Sequence, residues 1–291
     1  MPIGRTTTGA LADSLPTIIS AARQVSEYEG VMSQLVDKKT LGEGVGNTWN
    51  EVSYAKLTAQ AVTEDTVLDN PQQLSDTLFS LTPTLSAIHT FISDRVGKRI
   101  DKKAYAQIGT LGQHAIQRKK DTDGLIVLDG AGTSLSGAGT TLVSGVVAAA
   151  SVRITSNATE PGMLPIRSVL HGFQIKDIWD ELVAGIGTYT VPEGLTARVF
   201  KEGFKGMISN AQVYEDGNIT IDGSDDAKGG VFAEKGIVLV QGRVPYEKTR
   251  EEPHMAGGGV SIFLYDEFIF GERSAGNWLY EIYSDALSPT S

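Results

Sequence analysis

The chain has 291 residues, enough to bury a sizeable core in one large domain or two to three smaller ones, and its 41% apolar and 21% charged residues are the composition of a folded protein. It contains no cysteine, which excludes disulfides, thiolate nucleophiles and Cys-based zinc or iron–sulfur sites. The net charge of -10 is uneven: residues 121–291 hold 12 bases against 23 acids, whereas residues 95–120 hold eight bases (Arg95, Lys98, Arg99, Lys102, Lys103, Arg118, Lys119, Lys120) against Asp101 alone.

From the start of the chain, residues 1–8 lack the basic-then-apolar design of a signal peptide, and no apolar run approaches the roughly 20 residues that span a bilayer. Synthesis in the cytoplasm and no membrane partner are expected. Leu15, Ile18, Ile19, Ala22 and Val25 form one apolar helical stripe, with Ser14 as N-cap and Pro16 in the first turn. Gly42, Gly44 and Gly46 then lead into residues 48–66, where Trp49, Val52, Tyr54, Leu57, Ala59 and Ala61 loosely alternate with polar residues. That run is predicted to be a long extended hairpin. Residues 73–92 are predicted as strand, with an edge or bulge at Pro83.

Ala104, Ile108, Leu111 and Ala115 recur at helical spacing, so a long helix is predicted over 102–120, continuing towards Leu128 and ending at Asp129 and Gly130. Gly109 and Gly112 lie on it as small residues where another backbone can approach. After a Gly/Ser/Thr connector at 130–140, residues 142–153 are predicted as a buried helix, 166–170 as a buried strand and 173–182 as a second helix. Beyond residue 194 short runs read as strands: 195–200, 207–214, 219–221, 231–232, 237–242, 260–270 and 278–283. Strands and helices mix without regular βαβ alternation, which points to an α+β fold.

No catalytic motif emerges. The stretch from Gly130 to Leu135 has leucine where a dinucleotide loop needs its third glycine, no phosphate-binding P-loop occurs, and the sequence around Ser134 lacks the closing glycine of a nucleophile elbow. His89, His114, His171 and His254 are far apart, and Asp225 with Asp226 and Glu251 with Glu252 resemble a solvated loop and a charged strand edge. No cofactor or metal is implied. The basic segment carries only Tyr105 among its charges, so base stacking is not expected of it.

The order of these elements resembles the coat (major capsid) protein of tailed bacteriophages, a fold shared with encapsulin shells. Closest are residues 81–92 leading into the long helix, DTDGL at 121–125, GFKG at 203–206, NAQVY at 210–214, AKGGVF at 227–232 and GGGVSIFLYD at 257–266. The resemblance implies an N-terminal arm (1–40), an extended loop (41–76), a peripheral domain with a long spine helix (77–128), an axial domain (129–240) and a return to the peripheral domain (241–291). It implies a structural subunit, not an enzyme, that self-assembles into hexamers and pentamers of an icosahedral virion capsid in the host cytoplasm. Partners are then other copies of the chain, packaged double-stranded DNA held without sequence specificity, separate scaffold and portal proteins, and an optional decoration protein. Some members carry a long N-terminal scaffolding segment, whereas this sequence starts directly with the arm. Lys56 is the only loop lysine, and its surroundings do not support the Lys–Asn crosslink some members form.

Expected intersubunit contacts are Leu15, Ile18, Ile19, Trp49 and Leu57, and expected lumen- or DNA-facing residues are Lys98, Lys102, Lys119 and Lys120. The alternatives are an encapsulin-like compartment and, if the scattered acids converge, a carbohydrate- or nucleotide-acting enzyme.

Overall fold

A computed structural model describes residues 28, 30–44, 46–65, 71–98, 102–184, 206–254, 257–274 and 276–289. The expected arm stripe of Leu15, Ile18 and Ile19, the 195–200 strand and most of the 203–206 string lie outside them.

The chain enters through the short helix α1 (Met32–Leu35), whose two ends bury Met32 and Leu35. A strand the sequence reading did not anticipate follows, β1 (Asp37–Thr40), charged and half-buried along its length. Next come β2 (Trp49–Tyr54), β3 (Asp76–Leu81) and β4 (Thr84–Ser93). The expected hairpin forms between β2 and β3, from Trp49 opposite Leu81 to Tyr54 opposite Asp76, so its return strand lies well beyond residue 66. Pro83 falls in the break where the chain passes from this hairpin into β4. That is where a residue without an N–H is tolerated.

After the single turn α2 (Asp94–Gly97), the spine helix α3 (Lys102–Asp129) runs without interruption and stops before Gly130, as its periodicity requires. It lies along one long strand, β11 (Gly259–Glu272). A side chain on Gly112 would strike Leu264, and one on Gly124 would strike Met32 and Phe270. The rise from Gly112 to Gly124 in a helix is ~18 Å, and from Leu264 to Phe270 in a strand ~20 Å, so helix and strand run side by side. The approach expected at Gly109 is absent among the described residues.

β11 is the second-to-last strand of a four-stranded sheet ordered β1, β10 (Ile237–Glu251), β11, β4, in which only β1 and β10 pair in parallel. A second, six-stranded sheet has the order β5 (Ser134–Ser136), β12 (Leu279–Asp285), β9 (Asp226–Ala233), β6 (Ile166–Leu170), β8 (Ala211–Glu215), β7 (Met207–Ile208). The last segment is therefore divided: β11 belongs to the four-stranded sheet, whereas β12 enters the six-stranded one between β5 and β9. The predicted single strand over 207–214 is two strands, because Ser209 and Asn210 take left-handed backbone (φ 45 and 69) and close a two-residue hairpin turn.

The six-stranded sheet is covered on both faces. Val169, Phe232 and Leu279 join Leu125 and Leu128 of the spine helix, whereas Leu170, Val231 and Ile282 join Val147, Ala150 and Ile154 of α4 (Ser144–Thr155) and Ile178 of α5 (Gly172–Ala184). Neighbouring residues of one strand thus serve opposite layers, as Val169 and Leu170 do on β6 and Val231 and Phe232 on β9. No helix among the described residues is long and apolar enough to cross a membrane.

Candidate functional site

The hairpin projects from the body by one fixed end. At its root Trp49 meets Phe79 edge-to-face at 6.1 Å, and Leu81 fills the space above Gly271. Arg273, immediately after β11, binds Glu51 of the hairpin through Nε at 2.9 Å and Asp37 of β1 through Nη2 at 2.8 Å, and donates to the Lys235 carbonyl. Burial alone raises the Asp37 pKa, but its hydrogen bonds and charge contacts with Arg273 and Lys39 outweigh burial and hold the carboxyl below its ordinary value.

Beyond the root the hairpin's apolar side chains turn to solvent. Val52, Tyr54, Leu57, Val62, Leu74 and Leu78 are all exposed, Tyr54 by 74% and Leu57 by 63%. Lys56 reaches back to the Ala158 carbonyl at 3.2 Å. Of the two expected contact residues described here, Leu57 is free to meet another surface, while Trp49 is half-buried and braces its own hairpin. Residues 41–81 carry six acids (Glu43, Glu51, Glu64, Asp65, Asp69, Asp76) and one base, Lys56, so this apolar projection is also acidic.

The four-stranded sheet meets α3 with one face; the other carries an aromatic and cationic set that sequence reasoning missed. His89 stacks on Phe263 at 4.4 Å, Phe263 lies 6.2 Å from Tyr265, and Tyr265 stacks on Tyr246 at 5.1 Å. Arg243 sits 4.0 Å and Lys248 5.8 Å from the Tyr246 ring. Three strands contribute, joined by the pairings His89 with Phe263 and Tyr246 with Tyr265. The signal available in the sequence is the two-residue spacing of Tyr246, Lys248 and Arg250 and of Phe263 and Tyr265, which puts each set on one face of its strand.

The expected DNA-facing lysines differ in their surroundings. Lys98 is exposed; the side chain of Lys102 lies outside the described residues; Lys119 is exposed and paired with Asp123 one helical turn on. Lys120 corrects the expectation: it is 14% exposed, pairs with buried Asp266 at 2.9 Å, donates to Gln241 at 2.8 Å and lies 4.8 Å from the Phe268 ring. Its charge is consumed between helix and sheet, so it is not available to a phosphate.

The histidines stay apart: His89 is in the aromatic stack, His171 accepts the Phe173 amide at the start of α5, and His254 meets Glu252. Asp226 accepts the Gly139 amide at 2.7 Å in a turn. Among the described residues no group of three or more His, Asp or Glu is placed to hold a metal ion.

Sequence comparison finds no matching family model and no matching curated protein. The capsid of cyanophage Pam1 is similar with a TM-score of 0.73 at 10% identity, over 99% of this chain and 100% of that one. The capsid of cyanophage P-SCSP1u gives 0.71 at 11% identity over 97% and 96%, and the mature capsid of bacteriophage PhiM1 gives 0.69 at 12% over 94% and 93%. The chain has the α+β fold of tailed-phage major capsid proteins along nearly its whole length.

Proposed function

We propose that the chain is a structural subunit that assembles with copies of itself into the icosahedral shell of a tailed phage. The observation that carries this reading is the projecting hairpin. A two-stranded ribbon is marginal on its own, and this one presents Tyr54, Leu57, Leu74 and Leu78 to solvent instead of to the body. Burying each such side chain against a partner stabilises by about 1.5–3 kcal/mol, so several together favour association strongly even after its entropic cost. The fold likeness to capsid chains supports the same conclusion.

Within this reading the arm, through Leu15, Ile18 and Ile19, and the hairpin, through Leu57, engage neighbouring copies. The aromatic and cationic sheet face around Tyr246 complements the acidic, apolar hairpin in charge and chemistry. The four-stranded sheet with the spine helix corresponds to the peripheral domain, and the six-stranded sheet with α4 and α5 to the axial domain around which hexamers and pentamers close. Lys98, Lys102 and Lys119 face the lumen and screen packaged DNA through its phosphates, without reading sequence. Scaffold, portal and decoration proteins and assembly in the host cytoplasm belong to the same proposal. The enzyme alternative needs the scattered acids to converge where a substrate can reach them; Asp226 instead supports a turn, and the acids that do meet, Asp121 and Asp216, are each 1% exposed.

The experiment is assembly of the full chain followed by light scattering and electron microscopy, with Leu57→Asp and Leu78→Asp combined. Particles from the parent chain and none from a variant that melts normally support the proposal; equal particle yields overturn the role of the hairpin.

A further inference from the structure

Where the chain enters the described body, it is held by a pair of buried acids. Asp121, on the spine helix, and Asp216, in the turn after β8, are each 1% exposed and hydrogen-bonded to one another. Their oxygens are aimed at the incoming segment and its neighbour. Asp121 accepts the Met32 amide at 3.0 Å with one oxygen and the Asn218 side-chain amide at 3.0 Å with the other. Asp216 accepts the Asn218 backbone amide at 2.9 Å and faces the Val31 amide at 3.5 Å. Gly30 lies so close that an added methyl would sit 2.2 Å from the Asp121 carboxyl carbon, and the Tyr28 ring covers Gly217.

No described cation pairs with either acid. On α3, the adjacent Lys120 is turned to Asp266, and Lys119 pairs with Asp123. On the β8 side, Glu215 faces His171. Among the described residues of the incoming segment the titratable neighbour is the Tyr28 phenol, and Asn218 is neutral. Two buried carboxyls side by side, with no described counter-charge, resist ionising together, so Asp216 keeps its proton at acidic pH.

We propose that Asp121 and Asp216 form a proton-operated latch on the segment from Gly30 to Met32: the latch is closed while Asp216 keeps its proton and opens when it is lost. Burial first, then the hydrogen bond and charge of Asp121, push the Asp216 pKa up to about 7, so the change falls near neutrality. Ionisation of both acids sets up a repulsion that the pair itself cannot relieve by moving. Asp121 is fixed in a long helix, and the Asp216 amide is bonded to the Leu170 carbonyl at 3.0 Å. The incoming segment is the easier part to displace, starting at the long Val31 contact and ending at Met32, whose side chain is fully buried.

The test is hydrogen–deuterium exchange on the full-length subunit, and its outcome does not depend on the shell reading. After correction for the intrinsic pH dependence of exchange, a peptide spanning residues 28–36 is expected to lose about tenfold or more of its protection between about pH 6 and about pH 8.5, with a β9 peptide unchanged as the control for global opening. Asp216→Asn, whose amide donates to Asp121 and still accepts from Asn218, is expected to stay protected at both pH values; Asp121→Asn provides the same test should the first variant not fold. Constant protection in the parent chain, or a pH-dependent loss that persists in the folded variants, overturns the latch.

Discussion

Arg273 concentrates much of the local electrostatics in one side chain that is itself only 13% exposed. Replacing it with alanine leaves Asp37 and Glu51 without their shared partner and frees the root of the hairpin. The expected loss is about 1–3 kcal/mol, between the ranges for exposed and buried pairs, read from urea melts; lysine restores part of it but not the fork. Because the Asp37 pKa is held below its unfolded value of 3.8, this contribution is complete above that value and disappears as pH falls through the lower folded pKa. The stability difference between Arg273→Ala and the parent should therefore shrink on acidification to about pH 3. Asp216 has the opposite sign. Its folded pKa lies above the unfolded one, so stability declines as pH rises from about 4 to about 7, and Asp216→Asn should gain on the parent over that window. Neither cluster is legible in the sequence, because Asp37 and Arg273, or Asp121 and Asp216, meet only after the sheets have paired.

At the scale of elements, the spine helix was legible because its signal is local: apolar spacing over many turns and a glycine immediately after its last residue. What its glycines do was only half legible. At Gly124, a methyl would sit 2.8 Å from the Met32 Cβ, so Gly124→Ala should cost about 1–3 kcal/mol from overpacking, more than the ~1 kcal/mol that alanine gains in helix propensity. Gly109 meets no described atom within 4 Å, and Gly109→Ala should stabilise by about 0.5–1 kcal/mol in the same melts. Strand membership was harder to read than strand existence. The short charged β1 carries almost no apolar signal and exists because Asp37 through Thr40 pair with Val238 through Gln241, two hundred residues away. The hairpin was seen as an alternating run, but its return strand β3 was read as one strand with β4, since their apolar patterns merge across Pro83.

For the whole molecule, the exposed side of the hairpin and the aromatic, cationic sheet face are the two features that a solitary subunit leaves unexplained. Residue types alone marked Trp49 and Leu57 as equivalent contacts; packing separates them, because Trp49 is used internally and Leu57 is not. Lys120 departs from the other lysines for a related reason: proximity in sequence along a helix does not fix which way each charge points, and Lys120 points into the sheet. Self-assembly is the claim on which the proposed function depends. Electron microscopy of the purified full chain over a concentration series tests it most directly: closed shells, or rings of five and six copies, are expected, and a chain that remains monomeric throughout the series contradicts it.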